Sequence, residues 1–308
     1  MKIVITNWSG LTERHIDELK KLGDVEAYTD TSNENYPERL AGADVAVIDC
    51  YLTPITKEFL ETVPNLKYFT INSTGYDNVD VDAVREANIT ASHVPSFSTG
   101  SVAELAIGLM FATVRKIPVG DADFRGGFYE TDPGTPEMEK YQGFNLQGKT
   151  LGIVGLGNIG TRIAEIGKGI GMNVIAYNRS EKQISGVTMV SLEVLMKESD
   201  VVIVALAVTN ETKGIISKDL IGAMKKTGVI ASIANMALFD QEALVEALNS
   251  GAIAGAGLDT AGEAFVNVPN TVLTPHIGYN TKESIENMAD IIVQNIEAYA
   301  AGKPINVI

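Results

Sequence analysis

Residues 150–160 read Thr-Leu-Gly-Ile-Val-Gly-Leu-Gly-Asn-Ile-Gly, and this stretch decides the fold. Residues 151–154 have the apolar character of a short buried strand. They run into Gly155-x-Gly157-x-x-Gly160, after which Ile159, Ile163 and Ile166 recur at helical spacing. A strand, three spaced glycines and a helix in that order make a dinucleotide cradle. The first glycine permits a tight turn, the second lets the backbone approach a pyrophosphate, and the third lets helix and strand pack closely. The helix N-terminus adds unpaired N–H groups and the positive end of its dipole.

The chain around this motif has 308 residues, enough for about two domains. It is 45% hydrophobic and carries a net charge of −15. That balance opposes binding to nucleic acid or to an anionic membrane, so an anionic ligand must be held by local donors. The longest apolar run, residues 201–208, is too short to span a bilayer. Cys50 is the single cysteine, which excludes an intrachain disulfide and fits a reducing compartment. The first eight residues turn polar too soon for a signal peptide. The expectation is a cytoplasmic protein with a small-molecule substrate and no metal site.

Working outward, the first hundred residues alternate strand and helix patterns. Strands are expected at residues 2–6, 25–28, 44–49, 66–71 and 89–93, with helical stretches at 12–22, 36–40, 57–62 and 81–87. A βα repeat of this kind gives a parallel sheet covered by helices. A long helix is expected from about residue 98 to 114, with Ser101-x-x-Glu104 as a capping box. Residues 120–148 read as loop. A second βα series follows, with strands at 151–154, 174–177, 201–207, 229–233, 253–258 and 271–274. Asp240 is the expected N-cap of a helix over 241–249, and a last helix runs over 280–300 from an Asn280-x-x-Glu283 start.

Several positions carry chemistry. An acidic residue roughly 20 positions after the cradle would mark NAD by accepting from the adenosine ribose. Here that place holds Asn178, Arg179 and Ser180. Arg179 is either a solvated surface side chain or a donor fork for a 2′-phosphate; the second reading favours NADP(H) over NAD(H). Of three histidines, His15 lies in a surface-type helix and reads as inert, and His93 ends a strand and can be structural. His276 ends the last strand, where sheets of this type face their ligands, and is the candidate acid/base. Glu263 precedes it, either exposed to water or paired with the far ring nitrogen. Ser73, Thr74 and Gly75 follow a strand, either as an ordinary turn or as a nest of N–H groups for a substrate carboxylate.

Together these stretches resemble the D-isomer-specific 2-hydroxyacid dehydrogenase family over nearly the whole chain. The resemblance rests on Ser73-Thr-Gly-Tyr-Asp-Asn-Val-Asp80, Val94-Pro-Ser-Phe-Ser-Thr-Gly-Ser-Val-Ala-Glu104 and residues 146–160. It continues through Thr209-Asn-Glu-Thr-Lys-Gly214, Asp240 to Leu248, Gly257-Leu-Asp259 and Leu273-Thr-Pro-His-Ile-Gly278. It implies an α/β fold of two Rossmann-like domains with parallel sheets and the cofactor in the cleft between them. The substrate domain is split, here 1–98 plus 281–308, around a dinucleotide-binding domain over 99–280. The implied reaction moves hydride between the nicotinamide and C2 of a 2-oxo or 2-hydroxy acid. His276 is then the general acid/base and Glu263 its support. Asp259 falls at the nicotinamide end, and Leu52 falls at a substrate-gating position. Leu156, Asn158 and Ile159 of the cradle, with Ala207, Thr212, Ile233, Ala234 and Gly278, line the implied cofactor site. The resemblance also implies a homodimer formed through the nucleotide domain.

The departures are informative. The family reads Asn-Thr-Ala-Arg-Gly-Gly before the helix at Asp240, whereas this chain reads Ser232-Ile-Ala-Asn-Met-Ala237, so Asn235 stands at the arginine position. An asparagine donates to a carbonyl but brings no charge and no fork. Losing a charged contact of that kind costs about 2–5 kcal/mol in transition-state binding. Glu263 also lies one position early, and Ala207 replaces a proline. Two functions follow: a reductase whose substrate differs from simple 2-oxo acids, or a catalytically weak NADP(H)-sensing binding protein on the same scaffold.

Overall fold

The computed structural model describes residues 1–7, 10–129 and 135–308. Its chain divides into two compact units, Met1–Ser98 with Asn280–Ile308, and Thr99–Tyr279.

The first unit runs β1 (Lys2–Ile5), α1 (Glu13–Lys20), β2 (Asp24–Ala27), α2 (Tyr36–Arg39), β3 (Val45–Ile48), α3 (Lys57–Thr62), β4 (Tyr68–Ile71), α4 (Val81–Glu86) and β5 (Thr90–Ser92). Its sheet is parallel in the order β2-β1-β3-β4-β5. That order is flavodoxin-like and reverses between β1 and β3, which places a ligand crevice at the carboxyl ends of those strands. β3 and β4 are buried along their whole length, as expected of strands covered on both faces.

The second unit runs α5 (Thr99–Val114), α6 (Ile117–Arg125), β6 (Thr150–Val154), α7 (Asn158–Gly169), β7 (Asn173–Tyr177), β8 (Val187–Met189), α8 (Leu192–Glu198), β9 (Val201–Val204), α9 (Lys218–Gly222), β10 (Val229–Ser232), α10 (Gln241–Asn249), β11 (Gly255–Leu258) and β12 (Thr271–Leu273). Its parallel sheet has the order β12-β11-β10-β9-β6-β7-β8, the doubly wound arrangement with its reversal between β6 and β9. α5 packs on α7, β10 and β11. A Cβ on Gly257 of β11 would stand 2.9 Å from Leu109 Cβ of α5, so the strand admits the helix through its missing side chain.

The last helix, α11 (Lys282–Ala300), belongs to the first unit. Met288, Ile292, Val293 and Ile296 pack with Ile3, Ile5, Val45 and Val47 of the sheet. Asn295 is fully buried there, and its Nδ2 donates to Thr70 Oγ1 and to the His93 carbonyl. Burial without those bonds would be costly.

The structure corrects several expectations. Residues 120–148 are not all loop: α6 reaches Arg125 and Pro136–Tyr141 forms a 3₁₀ helix, while residues 130–134 lie outside the described set. β8 is an additional strand of three residues at the sheet edge, half-exposed and too short to show a period. β9 stops at Val204 because its neighbours end opposite it, at Val154 and Ser232. α5 starts at Thr99, so Ser101 lies within the helix and is buried. α11 is capped by Thr281, whose hydroxyl accepts from Ser284 N–H, and not by Asn280.

His15 is the largest reversal, because it is fully buried. Its Nδ1 accepts from Thr12 N–H at 3.0 Å, so in the neutral tautomer the ring proton sits on Nε2 and is donated to Asp290 of α11 at 3.0 Å. Arg14 reaches the same carboxylate at 2.7 Å. That guanidinium, helped by His15, holds the Asp290 carboxyl below its ordinary value. A carboxylate depressed in the fold contributes stability above its ordinary pKa and loses it as pH falls through the depressed value. Replacing His15→Leu should lower the thermal midpoint by about 4 °C at neutral pH. Asp290→Asn should shrink the stability lost on acidification, measured by thermal denaturation at neutral and acidic pH; an unchanged acid limb would remove the pair from this account.

Candidate active site

The cradle lies where β6 turns into α7. Gly155 has φ +96°, and a Cβ there would stand 2.7 Å from the Ala205 carbonyl oxygen. A side chain at Gly160 would collide with the carbonyl of Gly155. Gly157, the N-cap of α7, differs: nothing lies within 4 Å of where its Cβ would be. Two glycines are therefore required by the protein's packing on itself, and the third keeps a helix N-terminus open. Leu156, between them, is buried; Asn158 is exposed and Ile159 half-buried at the helix start.

The turn after β7 braces the cradle. Asn178 Oδ1 accepts from Leu156 N–H at 3.1 Å, and its Nδ2 donates to the Ser180 carbonyl at 2.9 Å. Arg179 leaves the turn with its side chain 83% exposed and pairs with Glu211 at 3.0 Å. Lys182, which the sequence reading passed over, donates to the Leu156 carbonyl at 2.7 Å. The loop after β9 closes on itself through Thr212, whose hydroxyl donates to the Ala207 carbonyl at 2.8 Å.

The ends of β10, β11 and β12 meet at one residue, Asp259. Asp259 follows β11 and is 1% exposed. Its Oδ1 accepts from Thr274 Oγ1 at 2.5 Å and Ile277 N–H at 2.9 Å, and its Oδ2 accepts from Gly278 N–H at 3.0 Å. The Asp259 carbonyl accepts from His276 N–H at 2.6 Å, while Asp259 N–H donates to Ser232 at the end of β10. A buried carboxylate needs such donors to stay charged. Gly278 leaves the close approach open, since its Cβ would stand 3.0 Å from Oδ2.

This clamp holds His276 at φ +55°, a conformation that non-glycine residues rarely adopt. The imidazole is exposed, with its ring edge-on to Tyr279 at 5.7 Å. Glu263 is exposed at the start of the 3₁₀ turn Glu263–Phe265, and among the described residues no hydrogen bond or ion pair joins it to His276. Asp259, not Glu263, is the carboxylate that positions the histidine's backbone.

Asn235 is exposed one turn past β10. Its Oδ1 accepts from Ala237 N–H at 2.9 Å and caps the 3₁₀ helix Met236–Leu238. Beside it, Ile233 is half-buried, and the carbonyl of buried Ala234 accepts from Thr260 Oγ1 at 2.7 Å. Thr260 and Thr274 were missed from sequence; their one signal was a hydroxyl just beyond a strand end.

In the first unit, the turn after β4 is tied down by side chains. Ser73 Oγ donates to the Gly75 carbonyl at 2.8 Å, and Thr74 Oγ1 donates to the Val94 carbonyl at 2.7 Å. His93 Nδ1 lies 2.8 Å from the Thr74 carbonyl, which gives this histidine a structural role. The N–H groups of Thr74 and Gly75 have no backbone partner among the described residues. Leu52, half-buried, follows β3, where its N–H donates to Asp49. Cys50 Sγ lies 3.6 Å from Ser73 Oγ, and burial pushes its thiol up. Among the described residues no group of His, Cys, Asp or Glu is arranged to hold a metal, and no helix is long and apolar enough to cross a membrane.

The comparison with known proteins agrees with this geometry. The family profile described as D-isomer specific 2-hydroxyacid dehydrogenase, NAD binding domain, matches residues 107–278. The chain is 34% identical to glyoxylate reductase of Thermococcus litoralis, covering 98% of this chain and 94% of that one. It is 31% identical to hydroxypyruvate reductase of Blautia hydrogenotrophica, covering 100% and 99%. A solved structure of an acyclic imino acid reductase (Bsp5) in complex with NADPH and D-Arg superposes with a TM-score of 0.90 at 32% identity, covering all of both chains. The chain belongs to the D-isomer specific 2-hydroxyacid dehydrogenase family. Its family and relatives support NAD(P)-dependent 2-hydroxyacid reductase activity.

The clamp makes a prediction about stability. Asp259→Asn would turn an N–H donor toward an N–H donor and should cost about 1–3 kcal/mol. Glu263→Gln should stay within about 0.5 kcal/mol of the parent. Chemical denaturation of both variants checks this; equal losses would remove Asp259 from its place at the centre of the site.

Proposed function

We propose that the protein reduces the carbonyl carbon of a small 2-oxo acid or related compound, with NADP(H) favoured and His276 as general acid. The observation that carries this reading is His276, held in a strained conformation at a strand end with its ring exposed. Strain of this kind persists where surrounding bonds over-determine it, and it gathers at functional sites.

The cradle fits a dinucleotide, because the open position at Gly157 lies at the N-terminus of a helix of twelve residues. Residues 155–160 would hold the pyrophosphate, and Asn178, Arg179 and Ser180 the adenosine ribose. Ala207, Thr212, Ile233, Ala234, Asp259 and Gly278 would lie toward the nicotinamide. The nicotinamide supplies a hydride when bound. His276 gives a proton to the oxygen in the reducing direction and takes it back in the other. The Asn235 amide donates to the carbonyl oxygen. In the first unit, the amides of Thr74 and Gly75 are donors suited to a carboxylate. Asp259 fixes the backbone from which the imidazole projects. The relative that carries imino acid chemistry indicates that C=N substrates also fall within the reach of this architecture. We also assign a homodimer through the second unit. Its support is the exposed apolar set Ile117, Val119 and Phe124 on α6.

Nucleotide oxidation should be followed by absorbance with purified protein across 2-oxo acids, ketones and aldehydes. Turnover is expected, and His276→Gln should lower kcat by about 100-fold on carbonyl substrates and abolish the pH dependence that the imidazole imposes. Tight nucleotide binding with no turnover on any compound would favour a nucleotide-sensing protein instead.

Arg179 tests the cofactor separately. Arg179→Gln should weaken NADPH binding by about tenfold, the worth of a hydrogen bond to a charged group, and leave NADH unchanged. Because Glu211 competes for the same guanidinium, Glu211→Gln should strengthen NADPH binding. Titration by nucleotide fluorescence reads both, and equal effects on the two nucleotides would make Arg179 a plain surface residue.

A further inference from the structure

Between Lys226 and Lys282 the sequence contains no lysine and no arginine. This stretch holds β10, β11 and β12, the turns that follow them, Asn235, Asp259, Glu263 and His276. Its fixed charges are all carboxylates: Asp240, Glu242, Glu246, Asp259 and Glu263. For the first unit considered by itself, the first lysine or arginine in the chain after β1, β3, β4 and β5 is Arg14, Lys57, Arg85 and Arg115 respectively, all beyond the turns that follow those strands. Those turns carry Asp49 and Asp77 instead. Within the second unit, fixed cations follow β7 and β9 (Arg179, Lys182 and Lys213), and none follows β10, β11 or β12.

A 2-oxo acid is an anion whose carbonyl oxygen gains negative charge as hydride adds. Besides the proton from His276, reducing it rapidly calls for a second, cationic group that stabilises that oxygen. Asn235 supplies only the neutral N–H donors of its amide, since its Oδ1 is committed to Ala237 N–H. A protonated 2-imino acid is different. Its C=NH₂⁺ group carries its own charge and its own proton, so it is electrophilic without help. It needs acceptors nearby, and a cation beside it would repel it. As a zwitterion it also avoids the repulsion that a site rich in carboxylates imposes on an anion.

Resting on the reductase reading above, we propose that the substrate of this site is a 2-imino acid in its iminium form, and the product an amino acid. The hydride supplied by the reduced nicotinamide adds to C2, forming a C–H bond. The C=N π pair moves onto nitrogen and yields a neutral amine, which takes a proton from solvent to become the ammonium. The nicotinamide is oxidised by two electrons, and no proton from His276 is needed at the heteroatom. Asn235 excludes the charge that an oxo acid requires.

The test supplies 2-oxo acids of varied side chain to the native protein with reduced nucleotide. One series contains ¹⁵N-ammonium chloride, which forms the imino acid by condensation. The other contains potassium chloride at equal ionic strength. The expected result is a rate at least about tenfold higher with ammonium, with ¹⁵N in an amino acid product by mass spectrometry. Asn235→Arg should reverse the preference, and His276→Gln should spare imine reduction more than carbonyl reduction. Equal rates in both salts with only hydroxy acid formed would overturn the imine proposal and leave the reductase reading standing. Nucleotide oxidation in neither series would overturn both. An unchanged preference in Asn235→Arg would overturn the role given to that residue, and the proposal with it.

Discussion

A buried carboxylate organises the second unit at its functional end. Asp259 has almost no contact with water, and its carboxylate oxygens are satisfied by donors that converge on them. Those donors come from Thr274, Ile277 and Gly278, and its own main chain reaches Ser232 and His276. One residue, through its side chain and its main chain, thus ties together the ends of three adjacent strands. The turn that carries the histidine cannot relax out of its positive φ without leaving a charge unsatisfied. The cost of burying the acid and the cost of the strained histidine are offset by the same set of bonds.

The glycine cradle obeys a complementary constraint. At Gly155 and Gly160 backbone meets backbone, and any side chain would force β6, β9 and α7 apart. At Gly157 the same motif leaves space empty. A single short sequence therefore does two jobs, close packing of the protein and access for a ligand, and the structure separates them position by position. Asn178 and Lys182 then hold the intervening Leu156 from the side of β7, so the loop's shape is supported by polar bonds as well as by sterics.

Electrostatics give the site its particular character within the family. The segments that follow β10, β11 and β12 carry acids, amides and the histidine, and no lysine or arginine. A site built this way distinguishes ligands by the charge they bring with them, because it adds little of its own.

Local patterns in the sequence carried the βα order, the cradle and the family, because strand period, glycine spacing and helix caps act over a few residues. The Asp240 cap and the helix over Gln241–Asn249 are of this kind. Tertiary structure decided what depends on partners distant in the chain. His15, flanked by charges, looked exposed and proved buried against Asp290, 275 residues away. β9 was shorter than its apolar run because its neighbours end first. Glu263 stood near His276 in sequence without bonding it, whereas Asp259, further off, supplied the clamp. Residue type and spacing state what a segment can do. Only packing brings the donors of the turn after β12 to the Asp259 carboxylate and the end of β10 to its main chain.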